Sequence, residues 1–307
     1  MVAARVSAAA VAIAQTARYS TRGASSQRLA LSRASAAAAI HATTRRPPTL
    51  DRMTASSREM TQQLPAAAPR RLKEMRPAQV AAVLASDPRM IIPVGTCEQH
   101  GPHLPLGCDT IIVERLSDDL SAEFGVLRAP ALEYGVNVAT ERGYAGNASL
   151  RRKTLHRLLN DLVDSWESMG VREFILLTAH EHDPHLEAIS TVVATRARVR
   201  AVDVFAIDFS DLLEGQREPM HGDEVDTSLM LYIAPHLVEM GRAEDYMMSR
   251  EELRRYRRGW LRVPRSSPGS IGRPRLASAE KGESLYQRIY GLVRDRILTA
   301  PPLDEEA

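Results

Sequence analysis

The chain has 307 residues, is 44% hydrophobic and 25% charged, and carries a net charge of +2 at neutral pH. This balance fits an ordinary globular protein with one catalytic-size domain and appendages, it gives no bulk argument for nucleic-acid binding, and no nucleic-acid partner is expected. No run of about 18 apolar residues occurs, so neither a transmembrane helix nor a membrane partner is expected.

Residues 1–50 contain seven Arg and no Asp or Glu. Their composition, without turn-bounded hydrophobic periodicity, predicts disorder over residues 1–70. Three readings of this extension stay open: a start codon placed upstream of a true start at Met53 or Met60, an organellar transit peptide, or a secretory leader with AAAVAIA as its apolar segment. The only two cysteines, Cys97 and Cys108, give no disulfide framework and fit a reducing, cytoplasmic setting, with an organelle as the alternative if residues 1–60 are a transit peptide.

From Arg71 onward helical and strand patterns alternate, which places the folded domain at residues 71–298 and a disordered tail at 299–307. PAQVAAVLAS reads as a helix with Pro77 near its start, and RMIIPVG as a buried strand ending at Gly95. DTIIVERLSDDLSAEFG has helical spacing of Ile111, Ile112, Leu116 and Leu120, with Asp109 at the cap and Gly125 as the stop. The strand VLRAPAL follows, and then an amphipathic helix up to Gly170 with Leu155, Leu158, Leu159, Leu162 and Trp166 on one face. EFILLTA is a strand covered on both faces, PHLEAISTVVATRAR a helix, AVDVFAID a strand, and a short linking helix is expected before His221. Residues 236–276 look like a peripheral excursion, and LASAEKGESLYQRIYGLVRDRIL like a closing helix. This order predicts a mainly parallel sheet between helix layers.

Ligands bind beyond the carboxyl ends of the strands in such sheets, and three polar loops fall there: GTCEQHGPHLPLGCD, AHEHDPH and REPMHGDEVDTS. Glu98 and His100, one residue apart in an extended loop, can point to the same side. With Asp109 they form a carboxylate and imidazole set that suits zinc, manganese or a pair of such ions, although Asp109 is also a good helix cap. His180 and His182 have the same spacing at a strand end and can share a metal or serve as hydrogen-bonded loop histidines. His185 is expected to be structural or on the surface. His221 beside such a site can shuttle a proton near neutral pH, while Asp223 or Glu224 caps the next helix. Arg217 would suit a substrate carboxylate or phosphate. Cys97 and Cys108, eleven residues apart, read as small buried fillers.

IIPVGTCEQHGPHLPLGCDTIIVERL resembles the signature of the creatininase family of metal-dependent amidohydrolases, in which P-x-G-S-x-E-Q-H-G-P-H-L-P-L-x-x-D follows the first strand. HGDEVDTSLMLYIAPHLV is similar to the family's H-A-G-x-x-E-T-S-L-M-L helix, and GRPRLASAEKGESLY to its G-D-P-x-x-A-S-x-E-K-G segment. The resemblance spans residues 71–295. It implies a three-layer α/β/α sandwich, a two-metal centre holding zinc or manganese, and a homo-oligomer, with the hexamer common in the family. It implies Glu98, His100 and Asp109 as ligands with Asp109 bridging, His180 as a further ligand, His182 in place of a family Glu ligand, and His221 as proton donor to the leaving nitrogen.

The chain departs from the family in TAHEHD, in Asp226 where the family has Glu, and in Arg217 and Glu218 where creatininase clamps its substrate with Trp and Asp. The expected function is hydrolysis of a non-peptide amide C–N bond, in a cyclic amide or formamide other than creatinine, by a metal-activated water. Two rivals use the same residues: a non-catalytic metal-binding or assembly subunit, and a hydrolase that trims a peptide.

Overall fold

The computed structural model describes residues 68–139, 143–257 and 267–299. The expectations for residues 1–67 and 300–307 lie outside these. Among the described residues no helix is long and apolar enough to cross a membrane.

Five strands form one sheet, β1 (Arg70–Arg71), β2 (Arg89–Pro93), β3 (Leu127–Arg128), β4 (Glu173–Thr178) and β5 (Arg198–Asp203). They lie in the order β1-β3-β2-β4-β5, and every pairing is parallel. Strand alternation explains the layers. Met90 and Ile92 of β2, with Phe174 and Leu176 of β4, face a core shared with α3 (Arg152–Ser168) and α4 (Asp183–Ser190), against which α1 (Pro77–Ser86) also packs. Ile91, Ile175 and Leu177 face the opposite core, built with α2 (Cys108–Phe124), α5 (Glu224–Ile233) and α7 (Ala279–Val293). Both central strands are buried throughout, so their apolar runs are unbroken and the chain forms the expected α/β/α sandwich.

Local signals place most helix ends. Pro77 occupies the first turn of α1, and Gly125 ends α2 in the left-handed conformation at φ 68°. Asp223 caps α5 by accepting from the amides of Val225 and Asp226, and Ser278 caps α7 through the amide of Lys281.

Several expectations are corrected. Asp109 is not a cap: Gly107 holds that position and Asp109 is the second residue of α2. Folded structure begins no later than Arg70, which pairs with Leu127. Helix α4 stops at Ser190, and β5 starts at Arg198, because Arg198 and Arg200 belong to a half-buried edge strand where Arg200 can pair with Glu173. The stretch between β5 and His221 is a series of turns and bends with no linking helix. Leu158 is exposed, and the buried face of α3 runs through Leu155, Leu159, Val163 and Glu167.

Glu167 is a buried carboxylate that accepts from the backbone amides of Thr195, Arg196 and Ala197, pinning the chain that leads into β5. Burial alone would raise its carboxyl, and the amides of Ala197, Arg196 and Thr195 more than reverse this, holding it below the ordinary range. A depressed carboxylate adds stability that is present above the unfolded value, near about 4.3, and is lost as pH falls through the folded one. Glu167→Ala is expected to destabilise the protein by about 1–3 kcal/mol in denaturant unfolding at pH 7 by leaving buried amides unpaired. For Glu167→Gln the deficit should shrink as pH falls toward the folded value. A deficit that stays constant would contradict the ion's role.

Candidate metal centre

Because every strand is parallel, the segments leaving β2, β3, β4 and β5 emerge on one edge of the sheet. The centre is assembled there. A Cβ on Gly95 would lie 2.1 Å from Thr110 Oγ1 and 2.5 Å from Thr110 Cα, so only glycine lets the chain leaving β2 lie against the first turn of α2. That approach lets the Thr96 hydroxyl donate to Asp109 Oδ2 at 2.6 Å. Asp109 is buried at the amino end of α2, where the helix dipole favours a carboxylate.

Two buried imidazoles flank this carboxylate. His100 Nδ1 lies 3.1 Å from the Glu98 carbonyl oxygen. A carbonyl only accepts, so Nδ1 carries the hydrogen and Nε2 is turned to Asp109 Oδ1 at 3.0 Å. His180 is fixed in the opposite sense: its Nε2 donates to the Val136 carbonyl at 3.1 Å, and Nδ1 faces Asp109 Oδ2 at 3.1 Å and Glu98 Oε2 at 3.2 Å. Asp109 thus presents one oxygen to each ring. Glu98 Oε1 accepts from the Val138 amide at 3.3 Å.

The charges are strongly coupled. Burial pulls His100 and His180 down, yet Asp109, Asp226 and Glu98 lift His100 to about 10, and Glu98 and Asp109 lift His180 to about 9. Burial likewise opposes ionisation of Asp109, but His100 and His180 hold it well below the carboxylate range. The ring nitrogens facing the carboxylates therefore require positive charge, either a proton or a cation. The donor atoms of Glu98, Asp109 and His180 lie within 4.8 Å of one another, as do those of Glu98, His100 and His221, and of His100, Cys108 and Asp109. Nitrogen and oxygen donors with their second atoms fixed by backbone partners fit zinc or manganese.

His221 Nε2 donates to the Gln99 carbonyl at 2.6 Å, and its ring centroid is 4.4 Å from that of His100. His182 lines the same cavity with Nδ1 on the Val136 carbonyl at 2.7 Å, but it belongs to none of the three donor groups found among the described residues. Arg217 and Glu218 are exposed on a bend and do not line the cavity, whereas Pro219 and Met220 do. His185 is buried, with its ring between Thr178 Oγ1 and the Val136 amide, and burial holds it neutral. Cys108 packs in the core, where burial keeps its thiol well above its usual range, and Cys97 is half-buried.

Three contributors were not anticipated. Val136 supplies the carbonyl shared by His180 and His182, Thr96 holds Asp109, and Leu253, Tyr256 and Ile271 line a cavity of about 160 Å³ with His100, Asp109 and His180. The excursion is therefore not peripheral. Only the composition of Leu253 and Tyr256 within an otherwise charged helix, α6 (Arg250–Arg257), signalled it.

A parallel α/β sandwich with two carboxylates and two oriented imidazoles at its carboxyl edge defines a metal-binding α/β protein. The sequence profile of the family described as "Creatininase: Creatinine amidohydrolase" matches residues 73–296, and the chain belongs to that family. It is 26% identical over 239 residues to the creatinine amidohydrolase of Pseudomonas putida, covering 71% of this chain and 91% of that one. It is 28% identical over 219 residues to the mycofactocin precursor peptide peptidase of Mycolicibacterium smegmatis, covering 68% and 84%. It is 25% identical over 241 residues to the 3-dehydro-scyllo-inosose hydrolase of Thermotoga maritima, covering 67% and 76%. A crystal structure of creatininase superposes with a TM-score of 0.65 at 22% identity, covering 77% of this chain and 99% of that one, which shows a shared fold. Other creatininase structures of this fold include a manganese form and a zinc–zinc form. Hydrolysis is common to these relatives, and the chain is a metal-dependent hydrolase of the family.

The outer contacts give a direct test. Thr96→Val, which removes the hydroxyl donated to Asp109, should weaken zinc or manganese binding by about 10–100-fold in competition with a chromogenic chelator. Arg217→Ala should leave that affinity unchanged, and an equal loss in both variants would contradict the geometry.

Proposed function

We propose that the chain hydrolyses a non-peptide amide C–N bond in a small molecule, a cyclic amide or a formamide, using two divalent cations held by Glu98, His100, Asp109 and His180. The observation that carries this reading is Asp109, whose two oxygens address two separate imidazoles, His100 Nε2 at 3.0 Å and His180 Nδ1 at 3.1 Å. His182 is proposed as a fifth donor through Nε2, since Nδ1 is engaged by Val136. Zinc or manganese bound there supplies Lewis acidity toward the carbonyl and brings the pKa of a water toward neutrality.

The protein's own groups prepare the rest. Glu98 and Asp109 are held in place by the Val138 amide and the Thr96 hydroxyl, so neither need reorient during the reaction. His221, against the His100 ring, is the group placed to protonate the leaving nitrogen. Its presence beside the donor set favours catalysis over a purely structural metal site. Homo-oligomer formation belongs to the same proposal.

Protein purified from metal-supplemented medium should contain about two zinc or manganese ions per chain, and chelation should abolish hydrolysis of a cyclic amide and formamide panel until either metal is restored. Asp109→Ala should lose both ions, whereas His221→Ala should keep them and lower kcat by about 10²–10⁴-fold. Full activity of metal-free protein would overturn the reading.

A further inference from the structure

We infer that the substrate carries an apolar group and no anionic group beside its scissile amide, and that Val138, Met220, Leu253, Tyr256 and Ile271 form the wall that selects it. This rests on the reading of the site as an amide hydrolase and names the chemistry of what it accepts. The sandwich already has two cores, one on each face of the sheet. A third apolar cluster lies apart from both, with Val138, Met248, Tyr256 and Ile271 buried and Met220, Tyr246 and Leu253 packed on them. Five of these seven residues also line the cavity of the metal centre. They arrive from four separate stretches of chain, around residues 138, 220, 253–256 and 271.

Charge points the same way. Among the described lining residues there is no Arg or Lys, while Asp109, Glu181, Asp183 and Asp226 are acidic. The cations of the proposed centre would be engaged by the reacting amide, so an anionic substituent would meet apolar side chains or the carboxylates of Glu181 and Asp183. A buried ion without a partner is strongly disfavoured, whereas each methylene taken from water onto such a wall strengthens binding roughly fourfold.

The test compares substrates of the proposed classes matched in size on the metal-loaded full chain: N-(4-methylpentyl)formamide against 4-formamidobutanoate, followed by formate release, and 5-isobutylhydantoin against hydantoin-5-acetate, followed by ring opening. The apolar member of each pair should have kcat/KM at least about tenfold higher, and Leu253→Lys, which sets a cation into the wall, should narrow or invert that ratio by a similar factor. Equal or faster turnover of the anionic members by the unmodified protein overturns the inference while leaving amide hydrolysis standing. If no amide is hydrolysed, the amide reading fails and saturation-transfer NMR on the same protein decides the wall alone. Transfer to the two apolar members with little to their carboxylate partners supports it; equal transfer, or none, overturns it.

Discussion

Burying Glu98 and Asp109 side by side is the constraint on which the centre depends. Two ionised carboxylates removed from water are costly unless positive charge and hydrogen-bond donors meet them. The protein meets Asp109 with a hydroxyl and two imidazoles, and Glu98 with a backbone amide and one of those imidazoles. Each ring is oriented by a carbonyl on its far nitrogen, so the nitrogen facing the carboxylates has a fixed identity. Such a set calls for positive charge at the rings, and Glu98, His100, Asp109 and His180 would hold a divalent cation that would supply Lewis acidity for hydrolysis.

The sandwich makes this arrangement possible without placing the centre on mobile backbone. Asp109 belongs to a helix packed on one face of the sheet, while Glu98 and His100 follow β2 and His180 follows β4. β2 and β4 pair along their whole length, from Arg89 and Glu173 to Pro93 and Leu177. The two loops that carry the imidazoles are therefore fixed relative to each other by ladder hydrogen bonds. Gly95 then closes the distance to α2, since any side chain there would collide with Thr110. A displacement of α2 would move Asp109 away from both rings at once.

What could be read in the sequence follows from which atoms make each contact. The apolar runs of β2 and β4, the stop at Gly125 and the donor-rich loops are side-chain signals, and they led to Glu98, His100, Asp109, His180 and His221. The Val136 carbonyl and the Val138 amide orient that set through backbone atoms, which every residue possesses, so no residue type announces them. Leu158 has the right spacing for the buried face of α3, but Glu167 is buried instead because three backbone amides await it. Arg198 and Arg200 masked the start of β5 because an edge strand tolerates charge that a central one does not. Arg217 and Glu218 were singled out by their place before His221, yet the bend that carries them turns outward and leaves Met220 at the cavity.

The relatives by name hydrolyse different things, a creatinine amide, a precursor peptide and an inosose. The donor set of this chain sits at the edge of the parallel sheet, where the ladder and the first turn of α2 leave little freedom. In this chain the cavity's remaining walls come from residues 220, 253–256 and 271, which are tied to the edge through a few backbone bonds such as Ile271 to the His221 carbonyl at 2.7 Å. Those segments can change in sequence without disturbing the ladder between β2 and β4 or the contact of Gly95 with α2. The donor set rests on the ladder and the proposed wall on segments outside it, so the two can be altered separately. Arg217 and Glu218, outside the cavity lining, belong to neither part.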